Sequence, residues 1–280
     1  MGDDMLSGTL RKMRAELGAG NHADEVNYFL PVGEHSLQLN PLVGEKLTIE
    51  FLGNIICKNC GKKTKKSFSQ GFCFPCMRRL ARCDMCILKP ETCHYHLGTC
   101  REPEWGEKNC FVPHFVYLSN TSGLKVGITR HTQIPTRWID QGATQATIMF
   151  RVENRRQSGL VETAFKELIA DKTNWRTMLK ENQPDMDLLT EAEELMARLQ
   201  LDTDHFSADL PEEPIEDQDG HITSIKYPVL EFPKTIRSHN FDKNPLVEGT
   251  LMGIKGQYLI FDTGVINIRK FSSYEVAVSY

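Results

Sequence analysis

Four cysteines spaced C-x2-C-x12-C-x2-C, at Cys57, Cys60, Cys73 and Cys76, constrain this chain more than any other pattern in it. Two turns that each present a pair of thiolates, separated by about a hairpin's length of chain, bring four soft ligands to the corners of a tetrahedron. That donor set suits Zn(II) better than other common ions. All nine cysteines of the 280 residues fall between Cys57 and Cys110. Disulfide pairing is the alternative use of such a cluster. The opening MGDDMLSG has neither a basic n-region nor an apolar h-region, so the expectation is a reducing, cytoplasmic setting in which metal binding prevails.

A second group of ligands follows the first. It comprises Cys83 and Cys86, then Cys93, His94, His96, Cys100 and Cys110. A Cys83/Cys86 pair completed by two of the others makes a second tetrahedron, and spacing alone selects His96 and Cys100. Sites with four protein ligands have no open position for water and serve as staples for modules too small to hold a core, so one or two structural zinc ions are expected. An open-coordinated ion on His94 or His96 is the catalytic alternative.

Net charge is only −4, but it is unevenly spread. Residues 57–110 hold eleven Lys and Arg against five Asp and Glu, whereas 181–219 hold one Arg against fourteen acidic residues. Lys62, Lys63, Lys65, Lys66, Arg78 and Arg79 are interleaved with Phe68, Phe72 and Phe74, a mixture that suits a phosphate backbone with stacked bases. Phe72 and Phe74 are alternatively the small module's own core. No apolar run approaches the ~20 residues that span a bilayer, so no membrane role is expected.

At both chain ends the pattern is β-rich. Val26–Leu30 and Leu47–Phe51 alternate between breakers at Gly33, Pro41 and Gly44, and Gln257–Phe261 with Val265–Arg269 flank the turn Asp262-Thr263-Gly264. Ser7-Gly8-Thr9-Leu10 is echoed by Glu248-Gly249-Thr250-Leu251. Neither end has enough strands to bury a face alone, so both are expected to build one small β-barrel or sandwich, with the middle of the chain inserted. Helical spacing predicts one helix over 158–182 behind a Ser158 cap and a second from Leu188 to Leu201. An aperiodic acidic linker is expected over 202–219.

Between the cysteines and the helices stands Phe115-Val116-Tyr117-Leu118, a turn, then Lys125-Val126-Gly127-Ile128-Thr129, with Arg137-Trp138 opening a helix. This resembles the GIY-YIG nuclease superfamily over roughly residues 113–180. The resemblance implies that Tyr117 orients or activates a water together with Lys125, which stands where the second-motif tyrosine would be. It implies that Arg137 stabilises the charge on phosphorus, and that Glu162 holds Mg(II) or Mn(II). The stretches Gly98–Pro103 and Lys125–Arg130 also resemble an uncharacterised bacterial family in which a zinc ribbon is fused to such a domain. His114 and His131 flank the cleft so implied and are candidate proton carriers.

The expected fold class is therefore α+β: a small β-barrel or sandwich from 1–56 and 221–280, a two-zinc ribbon-like module over 57–110, a GIY-YIG-like α/β domain over 111–182, and an acidic helix and linker over 183–220. The function expected is interaction with DNA or RNA, either with metal-dependent phosphodiester cleavage or as a non-catalytic binding or ribonucleoprotein-assembly factor. Lys125 at the motif position leans toward binding. An interaction protein whose acidic strip docks a basic partner is the third reading.

Overall fold

The computed structural model describes residues 5–169, 172–202 and 221–280. In chain order the N-terminal strands are β1 (Met5–Thr9), β2 (Arg14–Leu17), β3 (Val26–Val32), β4 (His35–Gln38) and β5 (Lys46–Ile55). The cysteine-rich stretch holds two short helices, α1 (Phe74–Arg79) and α2 (Pro103–Asn109), among 3-10 turns. Then come β6 (His114–Asn120), β7 (Leu124–Arg130), α3 (Thr136–Asp140), β8 (Gln145–Val152), α4 (Arg155–Lys166), α5 (Trp175–Met178) and α6 (Leu188–Asp202). The chain closes with β9 (Thr223–Ser224), β10 (Leu246–Lys255), β11 (Tyr258–Phe261), β12 (Gly264–Asn267) and β13 (Tyr274–Ser279).

The two chain ends do share one antiparallel sheet, ordered β1-β13-β5-β10-β11-β12. It is open rather than a closed barrel. Edge strand β1 meets the separate β2-β3-β4 sheet only through the isolated Leu10–Val32 bridge, and a closed ring needs continuous pairing there. Residues from both sheets, including Tyr28, Leu30, Ile49, Leu259 and Val278, nevertheless fill one core.

The echo between Gly8 and Gly249 marks an internal repeat. Gly8 has φ +151° and Gly249 φ +156°. Leu10 N–H donates to Tyr274 O at 2.7 Å while Ser273 N–H donates to Leu10 O at 2.8 Å. Leu251 N–H likewise donates to Glu45 O at 2.9 Å while Gly44 N–H donates to Leu251 O at 2.7 Å. Strands β1 and β2 together correspond to β10, β3 to β11, β4 to β12 and β5 to β13. The paired residues Ile49 and Val278 lie on the dyad relating the two copies. In the first copy the long strand is broken between Thr9 and Arg14; in the second it carries a bulge between Leu251 and Gly253.

The inserted α/β part is a sheet ordered β7-β6-β8-β9. Val116, Leu118 and Val126 on one face pack with Val161 and Phe165 of α4 and Leu195 and Leu199 of α6. Tyr117, on the opposite face, joins Trp138 and Ile139 in the large core. The single helix expected over 158–182 is instead α4 and α5. Asn154 caps α4 by accepting from Gln157 N–H at 3.0 Å, and Ser158 lies buried one turn inside, its hydroxyl donating to Arg155 O at 2.8 Å. Asn174 caps α5, and α6 forms as read, with Asp187 accepting from the Leu189 and Thr190 amides. The strand expected over Val265–Arg269 stops at Asn267, whose side chain caps a 3-10 turn over Ile268–Phe271. Of the linker read over 202–219, residues 203–219 lie outside the described residues. No helix among the described residues is long and apolar enough to cross a membrane.

Candidate metal centre and its surroundings

Strand β5 runs directly into the first cysteine turn. Cys57 N–H donates to Lys62 O and Gly61 N–H returns to Cys57 O, both at 2.9 Å, with Gly61 at φ +69° supplying the left-handed bend. A second tight turn over Phe68–Phe72 delivers Cys73 to the cap position of α1 and Cys76 to its interior. The result gathers one sulfur each from Cys57, Cys60, Cys73 and Cys76 within 4.8 Å of one another, three of the residues buried and Cys60 exposed. This donor set fits a structural zinc ion. Burial pushes the Cys57 thiol up, but the amides of Cys73, Cys60 and Asn59 overcome that and bring it down to about 6. Burial and the neighbouring thiols push Cys76 up to about 12. Metal binding to this set therefore has protons to displace.

The second grouping read from spacing is Cys83, Cys86, His96 and Cys100, and of these Cys86 falls in a close trio of ligand atoms. Asp84, Cys86 and His94 come within 4.8 Å of each other, and Cys83, His96 and Cys100 are outside that trio. Cys83 packs instead against the first knot, beside Phe72 and Leu80. The 3-10 turns that follow one another here redirect the chain every few residues, so pairwise spacing does not report direction.

All six basic side chains singled out from the sequence, Lys62, Lys63, Lys65, Lys66, Arg78 and Arg79, are exposed. Phe72 is buried and serves the module's core, but Phe74 is 49% exposed. It packs against Phe68 with ring centroids 5.5 Å apart, and Lys66 and Arg78 lie over these two rings at 5.5 and 5.9 Å.

Between the knot and the terminal sheet opens a cavity of about 550 Å³. Arg11, Lys12, Lys58, Arg82 and Arg269 line it, with Gln70, Ser272 and Ser273 and no carboxylate. Lys12 is paired with Asp140. Lys58 donates to Gln70 O at 2.9 Å, and Arg269 Nε donates to Gln70 Oε1 at 2.7 Å. Burial pulls the Lys58 ammonium down, and Arg269 and Arg82 add to that. Burial also lowers Arg269, with Asp140 opposing that and Arg137 adding to it. This cluster joins residues from both chain ends and the cysteine module, and nothing local in the sequence marks it.

Tyr117 is fully buried, and its hydroxyl donates to Gln141 Oε1 at 2.9 Å. Burial raises its pKa, Arg137 opposes that, and Glu162 and Asp140 add to it, so tyrosine, arginine and glutamate lie within electrostatic reach of one another. Lys125 is 4% exposed, with Nζ 3.4 Å from Thr173 Oγ1, and Glu162 pairs with Lys166 at 3.2 Å. A cavity of about 580 Å³ beside α3 is lined by Trp138 and Ile148 but by none of Tyr117, Lys125, Arg137 or Glu162. His114 is buried, its Nδ1 2.7 Å from Val112 O, and burial takes its pKa down to about 4, so it is held neutral rather than poised as a proton carrier. His131 is exposed, with Nδ1 3.0 Å from Pro113 O.

Among protein families, a model described as "Protein of unknown function (DUF2797)" matches residues 44–276. No curated protein and no solved structure matches the chain.

Proposed function

We propose, from the premise that the chain belongs to the DUF2797 family, that it is a zinc-stabilised protein that binds the phosphate backbone of nucleic acid. The observation that carries this reading is the carboxylate-free cavity ringed by Arg11, Lys12, Lys58, Arg82 and Arg269, one wall of which is Cys57 of the knot. Lys58, Arg82 and Arg269 repel one another there, Arg11 and Lys12 being offset by Glu34 and Asp140, and a phosphodiester relieves that repulsion. The exposed lysines and the Phe68–Phe74 pair of the same cysteine-rich module add charge and rings on which unpaired bases stack.

The test is binding of single- and double-stranded DNA and RNA at two salt concentrations. Lys58→Ala and Arg82→Ala should each weaken binding across all sequences and flatten the slope of log K against log salt by about 0.7–0.9 per phosphate contact removed. No affinity for any of the four polymers at low salt would sink the proposal and favour the acidic-strip interaction protein.

A second reading keeps phosphodiester cleavage in a GIY-YIG-like core. The order of strand, strand, helix-borne arginine and later helix-borne glutamate supports it, as does the influence of Arg137 and Glu162 on Tyr117. Against it stand the sealed hydroxyl of Tyr117 and the Lys166 partner of Glu162, which is where Mg(II) or Mn(II) would be held. Metal-dependent cutting abolished in both Arg137→Ala and Glu162→Ala would establish cleavage. Binding without cutting under either metal leaves the backbone-binding function alone.

A further inference from the structure

The geometry points to a second zinc site of four cysteines, Cys86, Cys93, Cys100 and Cys110, distinct from the first knot. Cys86 lies in the turn Met85–Ile87, Cys93 ends the turn Pro90–Thr92, Cys100 follows the left-handed Gly98, and Cys110 caps α2. These four segments converge on one cavity of about 20 Å³, whose lining includes all four cysteines. That is room for about one small ion or water and nothing larger. All four cysteines line this one cavity, and because no three of their sulfurs lie within 4.8 Å of one another, a bound ion would draw them together.

Asp84 and His94 border the same cavity, but their polar atoms are already engaged. Asp84 accepts from Met85 N–H at 2.6 Å and from Arg101 Nε at 2.7 Å. His94 Nδ1 is 2.7 Å from Thr99 Oγ1, and its Nε2 is 3.5 Å from Asp84. The four sulfurs, in contrast, have no hydrogen-bond partner among the described residues. Asp84 and His94 therefore brace the turns, and the sulfurs are what remains to bind. Four thiolates converging on an ion-sized space select Zn(II) among available cations.

The stretch also needs such a staple. Met85, Leu88, Leu97 and Phe111 are exposed, at 59%, 77%, 67% and 47%, so apolar burial does not hold these turns together. The site would act on the α/β part directly. Cys110 O accepts from Arg155 N–H at 2.8 Å, Arg155 Nη2 donates to Ile87 O at 2.6 Å, and a side chain at Gly159 would meet Glu91 N at 2.7 Å. The metal thereby sets α4, which carries Glu162, against β6, which carries Tyr117.

The test is zinc stoichiometry of the purified full chain by native mass spectrometry. About two ions per chain are expected. Cys93→Ser and Cys110→Ser should each fall to about one, while Cys83→Ser and His96→Ala keep two. Retention of two ions in Cys93→Ser, or loss of one in Cys83→Ser, overturns the assignment, as does a single ion in the wild-type chain. Should the serine variants fail to fold, cadmium-113 resonance of the wild-type chain decides: two signals in the four-sulfur range support the site. A second signal shifted toward nitrogen or oxygen ligation assigns it to Asp84, Cys86 and His94 instead.

Discussion

Tyr117 occupies the space that a side chain at position 127 would need. The two residues face each other across β6 and β7, and a Cβ on Gly127 would fall 2.6 Å from the Tyr117 ring. The glycine of the Lys125-Val126-Gly127 motif is thus a seat for the tyrosine. Gly127→Ala should cost about 1–3 kcal/mol in urea unfolding; a change below a few tenths would mean that the ring moves aside freely. His114 gives a pH signature of its own. Its folded pKa, about 4, lies below the ordinary 6.5 because burial disfavours the imidazolium. Between those values the unfolded chain binds a proton that the folded chain does not, so stability falls as pH drops through that window, by at most about 3 kcal/mol. Unfolding midpoints at pH 7 and pH 4.5 should show a drop that shrinks in His114→Leu. An equal drop in both proteins would assign it to other groups.

Among the elements, the duplicated strands behave as a pair. Gly8 and Gly249 both sit near φ +150°, and each would drive a Cβ into the tip of its own copy's hairpin. The contact is Gly33 Cα at 2.6 Å in one copy and Asp262 Oδ1 at 2.3 Å in the other. Only glycine meets both the conformational and the steric demand. Gly8→Ala should be the costlier, because its obstacle is backbone while Asp262 has a side chain that can rotate. Each should nevertheless lose about 1–3 kcal/mol of stability in denaturant titration. Helix α4 is exposed to a simpler test. Asn154→Ala removes its cap and should cost about 1 kcal/mol, whereas Ser158→Ala should not act through capping.

At the scale of the whole molecule, the first knot is stitched to the terminal sheet rather than tethered beside it. Ile56 N–H donates to Ser273 O at 2.8 Å, Ser273 Oγ donates to Gly71 O at 3.0 Å, and Ser67 Oγ reaches Ser272 O at 3.3 Å. The basic cavity lies along that seam, so a zinc ion at the knot would hold one wall of the proposed binding surface. Removing metal with a chelator should abolish hydrogen-exchange protection over 56–80 and nucleic-acid affinity together, while β5 and β10 stay protected. Affinity that survives in the metal-free chain would separate the cavity from the knot.

Short-range signals carried a good part of this architecture. The first knot was legible because its ligands come from two local turns within twenty residues, so spacing and geometry are nearly the same information. The Asp262–Thr263 hairpin and the helix from Leu188 were legible for the same reason, since turns and periodicity act locally, and the meeting of the two chain ends because neither could bury its strands alone. The rest depended on contacts between distant positions. Arg11, Lys58, Arg82 and Arg269 become one cavity only after β13 has paired with both β1 and β5. Cys93 and Cys110 join Cys86 only after successive 3-10 turns have reversed the chain around them. By itself the sequence determined which residues are able to hold a metal or carry charge. Tertiary structure decided which of them share a space, because register and chain reversal are set by the packing of whole sheets, and no local pattern encodes that.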